Sequence, residues 1–318
     1  MLSRKVDKKT SKQSKSSRVV DITLLFLSFY DIRRQDIKSV LFIPYLMLTE
    51  IYYFSGTGNS YIVASTIAKK LKAKLIPIIP FKNNESIKSN ANIIGFVFPI
   101  YDFKAPELIN DFVKKLQTSD STYFFAACTY GVMPLNTMKK LEKTLMLNDK
   151  KLSGGFTVKM PHNGIGYSKI PIDKQKKMFK ELYIKSDFIV DYVKSKKEGV
   201  IEKSSILDRV VLVGIFMKLM PKIIPMLKQA LFKGWDSLGF YADENCNSCG
   251  ICKKVCPVDN IKIVEGKPSW GDNCMSCFAC IHWCPQKSIQ IANLTKKMQR
   301  YHHPDVKILD IINQKKYS

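Results

Sequence analysis

Two kinds of apolar segment alternate between residues 47 and 198. Short continuous apolar runs such as Ile93–Pro99 are typical of strands buried on both faces of a sheet. Longer segments with apolar residues at helical spacing separate them, as in Asn59–Leu71. We predict strands at 50–55, 74–78, 93–99, 121–129 and 156–160, and helices at 59–71, 106–116, 133–147 and 173–197. This alternation indicates an α/β doubly wound parallel sheet with helices on both faces.

The segments on either side of this region lack such a pattern. Residues 1–20 are rich in lysine, serine and arginine, and residues 21–46 show no clean period, so we predict that 1–46 is a disordered or non-native extension. A cleaved targeting segment is the weaker alternative. Residues 199–240 are predicted to be a helical connector, with helices at 206–220 and 224–232. We expect a packed linker there, and a membrane-surface helix is the alternative.

Composition narrows the class of protein. The 318 residues are enough for about two domains, and no apolar stretch reaches the ~18 residues of a membrane span, so we expect no stable membrane insertion. The formal charge of +24 favours acidic partners, nucleic acid or anionic lipid, unless it is only a solvated lysine-rich exterior. No secretory signal is visible, so we predict a reducing, cytoplasmic location. Clustered thiols there are metal ligands rather than disulfides.

Eight of the nine cysteines form one pattern written twice. The pattern is Cys-x2-Cys-x2-Cys-x3-Cys-Pro, and the second copy follows the first at an offset of 28 residues. In such a run three cysteines wrap one iron–sulfur cube and the fourth ligates the other cube. We therefore assign cluster I to Cys246, Cys249, Cys252 and Cys284, and cluster II to Cys274, Cys277, Cys280 and Cys256.

The alternative metal for these cysteines is zinc. Zinc modules usually pair one C-x2-C with another more than a dozen residues away, which does not fit two copies at this spacing. The segment 241–295 resembles bacterial-type two-cluster ferredoxins, and every ligand position matches. The resemblance implies a small α+β domain with two [4Fe–4S] clusters.

A second motif follows the first predicted strand and opens a helix. It reads Ser55, Gly56, Thr57, Gly58, Asn59, Ser60, with hydroxyl-bearing and small residues alternating. Backbone N–H groups, hydroxyls and a helix N-terminus suit one phosphate group. The loop has no lysine, so it is not a nucleotide P-loop, and it is not the G-x-G-x-x-G fingerprint. A simple turn at a strand–helix junction is the alternative.

This loop and its position resemble those of the flavodoxin family. The resemblance implies that the five predicted strands, numbered along the chain, have the order 2-1-3-4-5, and that FMN binds at the carboxyl ends of the first, third and fourth. The further site residues implied are Pro99, Ile100, Tyr101, Asp102, Phe103, Thr129, Tyr130 and Gly131. Tyr101 is the candidate to stack on the isoalloxazine, unless it is an ordinary loop aromatic.

The whole arrangement resembles a family of fused flavodoxin–ferredoxin proteins of anaerobes. The resemblance covers a flavodoxin-like domain at 47–198, the ferredoxin domain at 241–295 and a C-terminal tail at 296–318 that contains Arg300-Tyr301-His302-His303-Pro304. One departure is Gly164, where the family often has tyrosine. The other is residues 1–46, which have no counterpart in the family, so we expect Met47 to be the true start. Cys128 is predicted to be a buried thiol. His162 is a candidate to approach the flavin edge. His302 and His303 are predicted to be either a metal-binding pair or a structural pair.

These features predict electron transfer between FMN and two [4Fe–4S] clusters by a redox carrier that docks on acidic redox proteins. We expect such a protein in an anaerobic organism. A flavin-dependent iron–sulfur oxidoreductase acting on a small molecule is the alternative, although no catalytic dyad is evident. The only support for a nucleic-acid-binding sensor is the positive charge. The sequence has no motif that combines basic residues with aromatic residues for base stacking, so we expect no nucleic-acid partner.

Overall fold

The computed structural model describes residues 47–165, 170–205, 207, 210, 214, 239–291 and 294–316. The predicted N-terminal extension, 1–46, lies outside these residues. So do the two helices predicted for the connector, apart from three isolated positions. Residues 47–318 belong to one compact unit.

A six-stranded parallel sheet forms the centre of the first half. Its strands lie in the order β2-β1-β4-β6-β7-β8. The bounds are β1 Thr49–Tyr53, β2 Lys74–Pro77, β4 Ile93–Pro99, β6 Tyr123–Tyr130, β7 Leu152–Lys159 and β8 Val200–Ile201. A separate parallel pair joins β3 Ile87–Lys88 to β5 Leu116–Gln117. Without the short last strand β8, the sheet has the order 2-1-3-4-5, which confirms the flavodoxin-like prediction.

Helices cover both faces of the sheet and give it two cores. On one face, α1 (Asn59–Leu71) and α4 (Ile172–Lys194) bury Ile67 and Ile189 against β1 and β6. On the other, α2 (Glu107–Lys115) and α3 (Thr137–Met146) bury Phe112 and Leu141. Strands covered on both sides are apolar throughout, which explains the continuous runs in the sequence.

Two differences from the predicted elements have a packing cause. Strand β7 begins at Leu152 rather than at residue 156, because Gly154 and Gly155 are part of the strand. A Cβ on Gly155 would lie 3.1 Å from the Cβ of Met138, so the glycine lets α3 approach the sheet closely. Strand β8 adds to the sheet just beyond residue 198, where we predicted the domain to end.

The cysteine-rich half repeats its backbone as well as its sequence. The first copy contains α5 (Ile251–Val255) and β10 (Ile261–Val264), and the second contains α6 (Ala279–His282) and β12 (Ile289–Ile291). Strand β9 (Phe240–Ala242) pairs with β12, and β11 (Lys267–Trp270) pairs with β10. Left-handed residues recur at the same offset of 28, in the pairs Ser248/Ser276, Gly250/Phe278 and Asp259/Lys287. This is a small α+β domain with internal pseudo-symmetry.

The two halves share one hydrophobic core. Val255 and Trp283 of the cysteine-rich half lie in the same buried cluster as Phe54 and Phe98 of the sheet. The C-terminal helix α7 (Ile308–Asn313) adds Ile311 to this cluster. At its edge the Asp259 carboxylate accepts hydrogen bonds from the ammonium groups of Lys82 and Lys315. The chain thus contacts itself across three segments distant in sequence.

No helix among the described residues has the length and apolarity that crossing a bilayer requires.

We predict that the ion pairs of Asp259 contribute modestly to stability. Desolvation raises the pKa of this carboxyl, but the hydrogen bonds from Lys315 and Lys82 outweigh it, so the pKa lies below its ordinary value. The contribution is therefore present above the unfolded-state pKa and is lost as pH falls through the lowered pKa. Asp259→Asn should cost at most about 1 kcal/mol, since the pair is half exposed. Asparagine also tolerates the left-handed backbone at this position.

The measurement is thermal unfolding at neutral pH in low and high salt. The Asp259→Asn deficit should shrink in high salt and at acidic pH. Asp187→Asn, which removes an ion pair with Lys70 between α1 and α4, is the matched control. A deficit that is independent of both salt and pH would contradict the electrostatic explanation.

Candidate functional site

The loop from Ser55 to Ser60 connects β1 to α1 and is almost fully buried. The Ser55 hydroxyl oxygen accepts a hydrogen bond from the Gly58 N–H at 3.1 Å, which closes the turn. Gly58 has φ = 97°, a left-handed conformation that favours glycine. The hydroxyls of Ser60 and Thr129 lie 2.7 Å apart and tie the first turn of α1 to the end of β6. The loop therefore has one defined conformation at a helix N-terminus.

A cavity of about 890 Å³, which includes its opening to solvent, lies at the carboxyl ends of β1, β4 and β6. The structure brings together in its wall every predicted FMN-site residue except Gly58. These are Ser55, Gly56, Thr57, Asn59, Ser60, Pro99, Ile100, Tyr101, Asp102, Phe103, Thr129, Tyr130 and Gly131. Gly58 faces away from the cavity, where a Cβ would lie 2.9 Å from the Cβ of Val306.

Sequence reasoning did not place eight further residues in this wall. They are Val132, Met133, Met160, Pro161, Asn163, Gly164, Ser276 and Phe278. His162, the candidate for the flavin edge, also lies in the wall, within the segment 160–164 that follows β7. Ser276 and Phe278 belong to the cysteine repeat, and no local sequence signal connects that repeat to this cavity.

The residues present suit a ligand with a phosphate at one end and a ring system at the other. The loop offers hydroxyls, backbone N–H groups and the positive end of α1. Met133, Met160 and the half-buried Tyr101 provide apolar surface nearby. No lysine or arginine is among the described residues that line the cavity. An anion here is therefore held by hydrogen bonds and the helix terminus alone.

Tyr101 stands between this cavity and the cysteine-rich half. Asp102 and Phe103 have positive φ, and they make the turn in which Tyr101 pairs with Lys104. A Cβ on Gly56 would lie 2.5 Å from the Tyr101 hydroxyl oxygen and 3.3 Å from the Cys277 carbonyl oxygen. Burial raises the pKa of Tyr101, and the neighbouring Cys277 adds to the effect, so the phenol is neutral.

The eight repeated cysteines form two groups. Cys246, Cys249, Cys252 and Cys284 line one small cavity, together with Gly250 and Pro285. Cys256, Cys274, Cys277 and Cys280 are close enough to influence one another's ionisation. In each group three cysteines of one copy meet the fourth cysteine of the other, as the assignment of clusters I and II predicts.

The two groups fit iron–sulfur clusters chemically. Burial raises the pKa of Cys252 to about 11 and that of Cys277 to about 12, so these thiols need a cation to ionise. Among the described residues, no three His, Cys, Asp or Glu side chains converge closely enough to hold a single metal ion. Four thiols in each group, three from one copy of the pattern and one from the other, suit a [4Fe–4S] cube. The Cys256 sulfur also accepts a hydrogen bond from the Asn260 N–H at 3.3 Å.

The group around Cys277 adjoins the large cavity. The amide nitrogen of Asn163, in the cavity wall, lies 3.4 Å from the Cys277 carbonyl oxygen and donates to it. The neighbours of Cys277 in sequence, Ser276 and Phe278, are wall residues themselves. The group around Cys249 has a different setting, because Cys249 is exposed and the residues lining its cavity all come from the cysteine-rich half.

The histidines behind the cavity have structural partners. The Nδ1 of His282 accepts a hydrogen bond from the Tyr301 N–H at 3.0 Å, so its Nε2 donates to the Asn163 carbonyl at 2.8 Å. Burial lowers the pKa of His282 to about 4, which keeps the ring neutral. The His302 ring stacks on Trp283 at 4.2 Å, and the His303 ring packs against Phe179 at 4.5 Å. Cys128 is fully buried, as expected.

Residues 240–285 match the family of 4Fe–4S dicluster domains. No curated protein shows significant sequence similarity to the chain. Among solved structures, the chain is similar to an FMN-dependent NADH-azoreductase from Bacillus anthracis in complex with FMN. The similarity covers 45% of this chain and 99% of the azoreductase chain, at 12% identity and a TM-score of 0.32. A flavodoxin from the domain Archaea is similar to 46% of this chain over 99% of its own, at 14% identity and a TM-score of 0.30.

The strand order and the dicluster match together give the architecture. The parallel sheet has the flavodoxin order, and the cavity lies at the carboxyl ends of its strands, where such folds bind ligands. The chain thus joins a flavodoxin-like α/β domain to a 4Fe–4S dicluster domain, a redox architecture that combines a flavoprotein-type fold with an iron–sulfur domain.

Proposed function

We propose that the chain binds FMN and two [4Fe–4S] clusters and serves as an electron carrier for partner redox proteins. The observation that carries this proposal is the shared wall: Ser276 and Phe278, which flank Cys277, line the same cavity as the phosphate-type loop. A flavin in that cavity would lie beside the loop that carries Cys277.

FMN exchanges one or two electrons and each cluster exchanges one, so their combination allows electron pairs to be split or collected. The residues of this chain hold the cofactors in place. Thr57 and the first turn of α1 provide donors for the phosphate, while Tyr101 and Met160 provide apolar surface for the ring system. The buried loop and the hydrophobic core around Cys277 exclude water from the space between the cofactors.

The exposure of the cysteines suggests the order in which the sites are used. Cys277 and Cys280 are buried, and the loop that carries them touches the cavity. Cys249 is exposed and lies in the other group. Cluster II is therefore the neighbour of the flavin, and cluster I is the site from which a docked partner exchanges electrons.

The composition of protein purified without oxygen tests the proposal directly. We expect about eight iron atoms, about eight acid-labile sulfides and about one FMN per chain. Iron without flavin would contradict the FMN half of the proposal and leave a ferredoxin on a flavodoxin-like scaffold. Zinc in place of iron after anaerobic handling would remove the basis for electron transfer.

We predict that the Tyr101 ring stacks on the isoalloxazine. Tyr101→Ala should weaken FMN binding by roughly threefold to tenfold, because an aromatic pair contributes about 0.5–1.5 kcal/mol beyond its buried area. Tyr101→Phe is the matched control, since it keeps the ring and removes only the buried hydroxyl. Fluorescence titration of apoprotein measures the affinity. Equal affinity and unchanged flavin potentials in the Ala variant would mean that the ring does not stack.

We further propose that the physiological partners are acidic redox proteins. The chain carries a formal charge of +24, which attracts a negatively charged surface at long range. Electron exchange with an acidic ferredoxin or flavodoxin should slow severalfold between low ionic strength and physiological salt, as screening shortens the range of attraction. A neutral redox protein is the control. A rate that stays constant with salt for the acidic partner would show that this surface does not steer association.

A further inference from the structure

Three consecutive carbonyl groups of the Ser55–Ser60 loop are hydrogen-bonded by the C-terminal part of the chain. The Ser55 carbonyl accepts from the Gln314 side-chain amide at 2.9 Å. The Gly56 carbonyl accepts from the Trp283 indole N–H at 2.9 Å. The Thr57 carbonyl accepts from the His303 backbone N–H at 2.9 Å. We refer to these three donors, on Gln314, Trp283 and His303, as the carbonyl frame.

The carbonyl frame determines where the N–H groups of the loop point. In a trans peptide the carbonyl of one residue and the N–H of the next point in opposite directions. Carbonyls held toward the C-terminal segment therefore turn the N–H groups of Gly56 and Thr57 toward the other side, where the cavity lies. Within the described part of the chain, the Thr57 N–H has no hydrogen-bond acceptor, and the Gly56 N–H lies near the Tyr101 hydroxyl oxygen. The Thr57 N–H is therefore open to an anion in the cavity.

Gln314 makes the most complete contact of the three. Its amide oxygen also accepts from the Ser55 N–H at 2.9 Å, so the side chain pairs with both polar groups of one residue. The Gln314 side chain is buried, and a buried amide loses free energy when its partners are missing. The same residue, Ser55, closes the turn by accepting from Gly58. Gln314 thus fixes the start of the loop.

Two neighbouring contacts support the same geometry. The Tyr301 hydroxyl donates to the Asn59 side-chain oxygen at 2.6 Å, and the Asn59 amide donates to the Pro161 carbonyl at 2.8 Å. Asn59 is the first residue of α1, so these bonds hold the helix N-terminus against the cavity wall. Val306 packs on the bare face of Gly58. The tail thus contacts Ser55, Thr57, Gly58 and Asn59.

We propose that Gln314, acting with Trp283, is a positioning residue for the phosphate of FMN. The proposal rests on the proposed function, because it assumes that the flavin phosphate occupies this loop. The carbonyl frame holds the peptide planes in the orientation that binds an anion before the ligand arrives. The phosphate then gains hydrogen bonds without paying to order the loop. Gln314 and Trp283 therefore shape part of the flavin site without lining the cavity themselves.

The test compares FMN with riboflavin, which has the same ring system and no phosphate. Gln314→Met keeps the length of the side chain and removes its hydrogen bonds, and Trp283→Phe removes the indole donor. Each should weaken FMN binding by roughly tenfold while leaving riboflavin binding nearly unchanged. Asn313→Ala is the matched control, since it removes an exposed amide next to Gln314. The full chain with its clusters is used, and iron content checks that each variant has folded.

The outcomes separate this proposal from the function on which it rests. If both variants bind FMN as tightly as the wild-type protein does, with the same ratio of FMN affinity to riboflavin affinity, the positioning role is overturned. The proposed function is then left intact. A parallel loss of FMN and riboflavin affinity would also overturn it, because that pattern indicates general loosening of the site. If neither FMN nor inorganic phosphate binds the wild-type protein, both proposals fail. A selective loss in Trp283→Phe supports the role even if Gln314→Met does not fold.

Discussion

The close contact between Gly56 and the Cys277 loop is the constraint on which the arrangement of the two halves depends. A Cβ at position 56 would lie 2.5 Å from the Tyr101 hydroxyl oxygen and 3.3 Å from the Cys277 carbonyl oxygen, so glycine allows this approach without a shift of Tyr101. Electron transfer needs cofactors close together, and this contact places a cysteine loop directly against a loop suited to phosphate. Phe54, Phe98 and Trp283 belong to one buried cluster that both halves share, and this core stabilises the same contact.

The halves are consequently one cooperative structure rather than two modules on a tether. Buried side chains of the sheet, the cysteine repeat and α7 belong to one hydrophobic cluster. The carbonyl frame and the Asp259 ion pairs cross the same boundary with polar groups. Loss of either half would expose apolar surface on the other and leave buried polar groups without partners. A flavodoxin domain produced without residues 283–314 would lack three of the groups that shape its loop.

The parts of this protein that could be predicted from sequence are those fixed by local geometry. The cysteine spacing determines crossed groups, and the apolar runs of 59–71 and 93–99 gave α1 and β4 their observed bounds. The start of β7 was missed because Gly154 and Gly155 resemble a turn, although close packing against α3 and α4 requires them there. Ser276, Phe278 and Gln314 could not be placed, because their positions depend on contacts between segments more than 200 residues apart. Gly58 was predicted to line the cavity, whereas the position of its missing Cβ is next to Val306 of the tail.

The positive charge of the chain lies outside the described cavity wall, which has no lysine or arginine. The groups between the cavity and the Cys277 loop are neutral: a buried phenol, a buried imidazole and backbone amides. A cationic side chain beside the phosphate would strengthen binding, but it would also attract electrons to the flavin and alter its potential. Hydrogen bonds from a positioned backbone bind the anion without adding a full charge. Under the proposed function, the lysine-rich exterior would set how fast partners arrive, and the interior would set how the cofactors are held.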